Sequence, residues 1–201
     1  DQLIHDIALQ NLAVVLCIDR AGLVGEDGAT HHGAFDLAYL QCIPNLCIAA
    51  PMDACELRDL MYSAAAADSG PWAIRYPRGK AANACNFKAF NVIEKGKGRK
   101  LRDGKKVAVI SIGHTGNLVA EALDQLEKEN IHAGHYDLRF LKPLDQQLLR
   151  EVFDNYTHIL TVEDGSRQGG MGWAVSVWAA EQAYPQTVVR LGIPDQFVPH
   201  G

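Results

Sequence analysis

The sequence predicts an α/β fold made of two mostly parallel-sheet units with flanking helices. Short apolar runs alternate with segments of helical period over most of the chain, a pattern typical of strand-helix units. The 201 residues are 48% hydrophobic, which is enough for a packed core in each unit. A stretch rich in Lys, Gly, Asn and Arg separates the two series. We therefore expect a first domain over 1–82, a linker over 83–105 and a second domain over 106–201.

Three apolar runs, at 13–18, 46–50 and 72–76, predict the strands of the first unit. Between the second and third runs, Asp53 and Glu56 have the spacing of a helix capping pair. The Asp53 carboxylate is expected to accept from early backbone N–H groups, while Glu56 reaches back toward the helix start. A helix is therefore predicted directly after Asp53.

The second unit repeats this alternation of strands and helices. Its predicted strands lie at 107–113, 133–138, 159–162 and 188–191. Its predicted helices contain the apolar positions between 118 and 126 and the segments 146–153 and 171–183. Thr115, which follows the first of these strands, is expected to cap the next helix.

The charge of the chain limits its partners. Acidic side chains outnumber basic ones 24 to 19, so the protein lacks the basic field that nucleic acid requires. Seven cations lie between Lys95 and Lys106. Such a run is typical of a solvated linker or an exposed hairpin, and an anion-binding patch is the alternative. Nucleic acid is therefore not an expected partner.

The cysteines and the apolar runs bear on location. The five cysteines contain no CxxC pair and are expected to be small buried hydrophobes in a reducing compartment; they are Cys17, Cys42, Cys47, Cys55 and Cys85. No apolar run approaches the ~20 residues needed to cross a bilayer. The first residues lack a basic region followed by a secretory apolar stretch. We expect a cytoplasmic enzyme without a membrane partner.

The segment 19–33 is the strongest indication of a ligand site. It combines acids, an arginine, two histidines and four glycines directly after a predicted strand. Ligands of open α/β sheets gather outside the carboxyl ends of strands, where Arg20 lies. Its guanidinium is a candidate to grip phosphate or carboxylate through two parallel hydrogen bonds. A structural ion pair with Asp19 or Asp27 is the alternative.

Asp27 and His31 lie four residues apart in this segment and are expected to point into one cavity. A histidine titrates near neutral pH and can donate to a substrate oxygen or shuttle a proton. His31 is therefore a possible catalytic residue. Stabilisation of the loop is the alternative for His31 and for its neighbour His32.

Two arginines, Arg75 and Arg78, follow the third predicted strand and flank a proline. Because the residue before Pro77 is held extended, the two side chains are expected to face different directions. One would complete a phosphate clamp with Arg20 while the other makes a salt bridge. Arg78 lies farther past the strand and is the predicted ligand.

A second glycine-rich turn spans 163–172 and leads into a predicted helix. A helix start with free N–H groups can bind an anion, but the glycine spacing matches neither the dinucleotide nor the P-loop pattern. Close packing of strand against helix is the favoured explanation for these glycines.

Several of these segments resemble the 1-deoxy-D-xylulose-5-phosphate synthase family. The resemblance lies in 19–22, 25–36, 74–79, 139–145 and 192–197, so it covers nearly the whole chain. The Gly-Glu-Asp-Gly-x-Thr-His core is shared with transketolases, whereas the preceding Asp-Arg-Ala-Gly is more specific to the synthase. Glu163 and Asp164 stand where the family often has two glutamates, and Trp173 stands where it often has a small residue.

The resemblance implies an enzyme that uses thiamine diphosphate and Mg²⁺. Such an enzyme decarboxylates pyruvate and joins the two-carbon fragment to D-glyceraldehyde 3-phosphate, an early step of isoprenoid biosynthesis by the non-mevalonate route. It also implies a homodimer. In the family, the arginines that match Arg20 and Arg78 hold the phosphate of the aldehyde, and the residues that match Asp27 and His31 bind substrate oxygens.

The resemblance further implies that this chain is a fragment. Its first unit is similar to the later part of the pyrimidine-binding domain, and its second unit is similar to the C-terminal transketolase domain. The cofactor and metal ligands are then expected outside this chain, so the fragment alone should bind no cofactor and be inactive. The alternatives are the C-terminal portion of another transketolase-like enzyme, or a separately encoded non-catalytic dimerisation or regulatory subunit.

Overall fold

The first sheet has four strands in the order β1-β3-β2-β7. The computed structural model of the protein describes residues 1–67, 70–81 and 89–199. The strands are β1 (Val15–Ile18), β2 (Cys47–Ala49), β3 (Trp72–Arg75) and β7 (Phe140–Lys142). β3 lies between β1 and β2 and is parallel to both, while β7 is antiparallel to β2. The carboxyl ends of the three parallel strands therefore open at one edge.

The second sheet has five strands in the order β4-β6-β5-β8-β9. They are β4 (Arg99–Arg102), β5 (Val107–Ser111), β6 (Ala133–Asp137), β8 (His158–Ser166) and β9 (Val188–Ile193). β4 alone is antiparallel to its neighbour within this sheet. Both sheets are thus mostly parallel, and the predicted α/β class is confirmed.

Five α-helices flank the sheets in the part of the chain that the structure describes. They are α1 (Asp36–Gln41), α2 (Ala54–Ala66), α3 (Thr115–Lys128), α4 (Gln146–Asn155) and α5 (Met171–Glu181). A π-helical segment, Leu3–Ala8, and a 3₁₀ turn, Gly25–Asp27, precede them. None of the helices in the described residues is long and apolar enough to cross a membrane.

The two predicted units share a strand and a core. β7 belongs to the second unit by sequence but pairs with β2 of the first, with Ile48 opposite Lys142. The Lys142 ammonium donates to the carbonyl of Gln41 at 3.0 Å and so holds the end of α1. Burial lowers the pKa of Lys142. Buried side chains of both sheets, such as Ile48 and Ile110, pack in one apolar cluster.

The predicted start of α2 is confirmed in detail. The Asp53 carboxylate accepts from the backbone N–H of Glu56 at 2.8 Å. Glu56 in turn accepts from the backbone N–H of Met52 at 2.7 Å. The two acids thus satisfy donors on both sides of the helix start, as a capping pair should.

Residues 99–102 form the edge strand β4, inside the range predicted as the linker. Two local predictions are wrong. Thr115 does not cap α3, because its hydroxyl donates to the carbonyl of Ile112 at 2.8 Å instead of accepting from the helix. Cys17 and Cys42 are exposed rather than buried, while Cys47 is buried as predicted. Cys55 is disulfide-bonded, and Cys85 lies outside the described residues.

A buried histidine in the second sheet predicts a pH-dependent stability. Burial, together with the charges of Arg102 and Arg99, lowers the pKa of His135 to about 4. Since the unfolded chain titrates near its ordinary value of ~6.5, it takes up the proton first as the pH falls. We expect the free energy of unfolding to fall by about 2 kcal/mol between about pH 7.5 and about pH 5.

Urea unfolding of the wild type and of His135→Gln at both pH values measures this effect. The variant is expected to lose that part of the pH dependence. Equal pH dependence in the two proteins would contradict the assignment to His135.

Candidate functional site

The buried guanidinium of Arg75 joins the polar segment to both sheets. Arg75 ends β3 and its side chain is only 1% exposed. It donates to Asp36 at 3.3 Å, to Asp164 at 2.6 Å and to the carbonyl of Gly33 at 2.6 Å. Arg75 therefore makes buried salt bridges with Asp36 and Asp164, while Arg78 faces elsewhere, is exposed and pairs with Asp27.

Arg20 and Arg78 both bind the same atom, Oδ2 of Asp27. The Arg20 Nε lies 3.3 Å from that oxygen, and Arg78 donates to it from 51 positions away in the chain. Arg20 also contacts Asp19 at 3.1 Å. The hydrogen bond from Arg78 lowers the pKa of Asp27 and outweighs the effect of burial. The structure thus shows the ion pairs that were the alternative for Arg20, and Arg78, the predicted partner of Arg20 in a phosphate clamp, binds the same carboxylate.

The backbone places Arg20 in a conformation that is uncommon for a residue with a side chain. Its φ is +61°, in the left-handed region. The N–H of Gly33 donates to the Arg20 carbonyl at 3.0 Å and holds this turn. A side chain at position 33 would lie 2.3 Å from that carbonyl, so only glycine fits. The glycine thus fixes the direction in which Arg20 leaves the strand.

The two histidines of the segment differ in environment. His31 is exposed, and its Nδ1 lies 2.9 Å from the hydroxyl of Thr30. His32 is half-buried and its Nδ1 accepts from the backbone N–H of Val24 at 3.1 Å. His32 therefore stabilises the loop, whereas the ring of His31 stays accessible.

A cavity of about 420 Å³ lies beside Arg78. The loops after β2 and β3 form one wall with Met52, Tyr76 and Arg78, and the second unit contributes His114 and Asn117 to the other. Arg20, Asp27 and His31 lie outside its lining. The cavity and the arginine cluster are adjacent through Arg78.

His114 and Asp164 form a second polar pair at this edge. The His114 Nδ1 lies 3.3 Å from Asp164 Oδ2. That oxygen is buried and accepts no hydrogen bond within the described residues. Gly22 lets the polar segment approach it, because a Cβ there would lie 2.7 Å from Asp164 Oδ2. The first and second units therefore meet at this carboxylate.

The glycine-rich turn before α5 is filled by protein. The buried carboxylate of Glu163 accepts from the backbone N–H groups of Met171 and Gly172, both at 2.8 Å. A Cβ at Gly170 would lie 2.2 Å from the same carboxylate. The predicted packing explanation is confirmed, since Glu163 occupies the place that an external anion would take.

The cations of β4 pair with carboxylates of neighbouring elements. Arg99 contacts Asp137 at 3.1 Å, and Lys100 contacts Glu151 at 2.9 Å. Arg102 pairs with Asp124 on α3. These three side chains anchor an edge strand and do not form an anion-binding patch.

The described residues do not fit the diphosphate of thiamine diphosphate or its metal ion. Among them, no group of three or more His, Cys, Asp or Glu side chains can hold a metal. The glycine-rich helix start that could bind a diphosphate is closed by Glu163.

His114 and Asp164 were not predicted as site residues from the sequence. They are 50 positions apart, and neither belongs to a motif of fixed spacing. His114 follows β5, and Asp164 lies near the carboxyl end of β8. The available signal was therefore the rule that ligands gather at the carboxyl ends of parallel strands. That signal required knowing that β5 and β8 are neighbours.

Two family models match the chain. The transketolase C-terminal domain matches 96–201, and the transketolase pyrimidine-binding domain matches 1–83. Together they account for both sheets and for the segment that carries Arg20, Asp27 and Arg78.

Curated relatives match the chain over its full length. A 1-deoxy-D-xylulose-5-phosphate synthase of Bacteroides thetaiotaomicron is 58% identical over 202 residues, covering 100% of this chain and 31% of the relative. The synthase of Chlorobium luteolum is 49% identical over 201 residues, covering 100% of this chain and 32% of the relative. The chain thus spans about a third of the length of the curated relatives it matches.

Solved structures share the architecture. A structure described as "Split gene transketolase, inactive beta4 tetramer" superposes with a TM-score of 0.86 at 32% identity, covering 98% of this chain and 62% of that one. A transketolase mutant from Pichia stipitis superposes with a TM-score of 0.74 at 22% identity, covering 96% of this chain and 27% of that one, a likeness of fold alone. The chain belongs to the transketolase family.

Proposed function

We propose that this chain is the substrate-binding part of a thiamine-diphosphate-dependent 1-deoxy-D-xylulose-5-phosphate synthase. The intact enzyme would condense pyruvate, with loss of carbon dioxide, and D-glyceraldehyde 3-phosphate. The high identity to synthases over the full chain supports this proposal. The observation that carries it is the convergence of Arg20 and Arg78 on Asp27.

The charges of this cluster suit a phosphorylated aldehyde. Two guanidinium groups face one carboxylate oxygen of Asp27, and the positive charge of Arg20 is also paired with Asp19. The side chains of Arg20 and Arg78 are 37% and 59% exposed, so a phosphate can reach both. Arginine is suited to phosphate because its planar fork makes paired, charge-assisted hydrogen bonds. Phosphate binding would use guanidinium groups that the carboxylates already hold in place.

Asp27 and His31 take the remaining substrate oxygens in this proposal. The arginines keep Asp27 ionised, so its carboxylate can accept from a hydroxyl group of the aldehyde. The accessible ring of His31 can donate to a substrate oxygen or move a proton at that oxygen. These residues position the acceptor substrate, and holding two reactants in place lowers the barrier of their condensation.

The cofactor, the metal and the assembly complete the proposal. Thiamine diphosphate and Mg²⁺ would be bound outside the described residues, and this chain alone would be inactive. The intact protein would be a cytoplasmic homodimer with no nucleic acid or membrane partner. The division into 1–82, a linker over 83–105 and 106–201 remains part of this proposal, with β4 placed inside that linker range.

A separately encoded subunit is the second candidate. The similar structure is described as that of a split-gene transketolase in an inactive assembly, and this chain covers 62% of it. The reading frame decides between the two, since a natural start codon next to the codon for Asp1 would favour a separate subunit. A transketolase-like enzyme acting on other sugar phosphates is the third, and a product assay with pyruvate separates it from the synthase.

The phosphate clamp predicts a selective effect on one substrate. In the intact enzyme, Arg20→Ala and Arg78→Ala should each raise the KM for the triose phosphate about tenfold or more. A charge-assisted hydrogen bond contributes about 1.5–3 kcal/mol, whereas the KM for pyruvate should change less than about twofold. Steady-state kinetics with each substrate varied in turn measures both values.

Arg150→Ala is the matched control, because Arg150 is an exposed arginine on α4 of the second unit. It should leave both KM values unchanged. If Arg20→Ala and Arg78→Ala raised both KM values equally, the clamp would be excluded.

The absence of a diphosphate site among the described residues predicts a calorimetric result. Titration of this chain with thiamine diphosphate and Mg²⁺ should release no heat above that of dilution, while the intact enzyme should bind. Tight binding by this chain alone would show that the cofactor ligands were placed wrongly.

A further inference from the structure

The cavity beside Arg78 is built by both units. The first unit supplies the loops after β2 and β3, and the second supplies the start of α3. His114 lies at the junction of β5 and α3, directly before Thr115. A ligand held by Arg78 in this cavity would therefore face a wall that includes an imidazole.

Asp164 lies beside one nitrogen of that imidazole. Its Oδ1 accepts from Arg75 at 2.6 Å, and its Oδ2 lies 3.3 Å from the His114 Nδ1. Within the described residues, this buried Oδ2 accepts no hydrogen bond. A buried carboxylate oxygen of this kind favours a donor at Nδ1. The Nε2 of His114 is then the nitrogen left for a ligand.

The other charged and titratable groups around the cavity leave this role open to His114. They are Arg78, Lys80 and Tyr76 after β3, Asp53 before α2, and Glu121 on α3. Asp53 is committed to capping α2, and Glu121 is exposed. Burial raises the pKa of Tyr76, so its hydroxyl stays neutral. The protonated imidazole would thus add a positive donor opposite Arg78.

We propose that His114, oriented by Asp164, is a ligand for the phosphate group that Arg78 binds. The inference rests on the proposed function, because it assigns a further residue to the same substrate. In its protonated form, His114 donates from Nε2 to a phosphate oxygen, and in its neutral form it loses this charge-assisted bond. The second unit thereby takes part in recognising the acceptor substrate.

Sulfate is a suitable probe, because it is a tetrahedral anion whose charge does not change between about pH 6 and about pH 8.5. Titration calorimetry of this chain with sulfate should show weaker binding at the higher pH. At about pH 6, His114→Gln should weaken binding about fivefold, while at about pH 8.5 the variant and the wild type should agree. His132→Gln, a change at a histidine after α3 and outside the cavity, should behave as the wild type.

Arg78→Ala separates the inference from the proposed function. If Arg78→Ala leaves sulfate binding unchanged at both pH values, the phosphate site itself is wrong. If Arg78→Ala weakens binding but His114→Gln keeps the wild-type pH dependence, only the role of His114 is overturned. Nuclear magnetic resonance of the His114 ring gives an independent measure, since sulfate at about pH 6 should move the His114 ring resonances in the wild type and not in Arg78→Ala.

Discussion

The guanidinium of Arg75 is the interaction on which the arrangement of the site depends. A charge that is 1% exposed is costly unless it is fully paired, and Arg75 meets this requirement with partners from three places. Asp36 starts α1, Gly33 closes the polar segment, and Asp164 belongs to β8. Pairing one cation with all three fixes the distance between the segment 19–33 and the second sheet. The loop that carries Arg20 and Asp27 is thus held by a buried guanidinium.

The same demand for paired buried charge recurs at the other contacts between the units. Glu56 caps α2 through the N–H of Met52 and also accepts from Arg139, which follows β6. Arg99 on β4 contacts Glu56 and Asp137 at 3.1 Å. Burial and the nearby Glu56 raise the pKa of Asp137 to about 7. Helix capping in one unit and ion pairing with the other are therefore performed by one carboxylate, that of Glu56.

Periodicity was sufficient to predict seven of the nine strands in the described residues, because each of the seven lies in an apolar run of the sequence. It missed β4 and β7 for different reasons. β4 consists of Arg99, Lys100, Leu101 and Arg102, a polar edge strand whose cations pair with carboxylates on β6, α3 and α4. β7 has three residues and is defined by its pairing with β2, about ninety positions away in the chain. Interactions at such separations leave no local pattern.

The same distinction between local pattern and long-range pairing applies to the residues of the candidate site. Arg20 and Arg78 were predictable because each follows an apolar strand, but their convergence on one oxygen of Asp27 depends on β1 and β3 being neighbours. His114 and Asp164 carry no motif and become meaningful only when β5 and β8 are seen side by side. Residue type and strand position thus predicted the ligand candidates, while the order of strands decided which of them meet.

The pairing of β7 with the first sheet limits where the chain can be cut into separate domains. A chain cut between the two units would leave β2 as an open edge, and β2 (Cys47–Ala49) is buried along its whole length. Unpaired apolar edges recruit strands from other molecules and lead to aggregation. The two family models divide the chain near position 90, but the fold does not divide there without exposing the edge of β2. The two halves are therefore expected to stay in solution only when they are produced together.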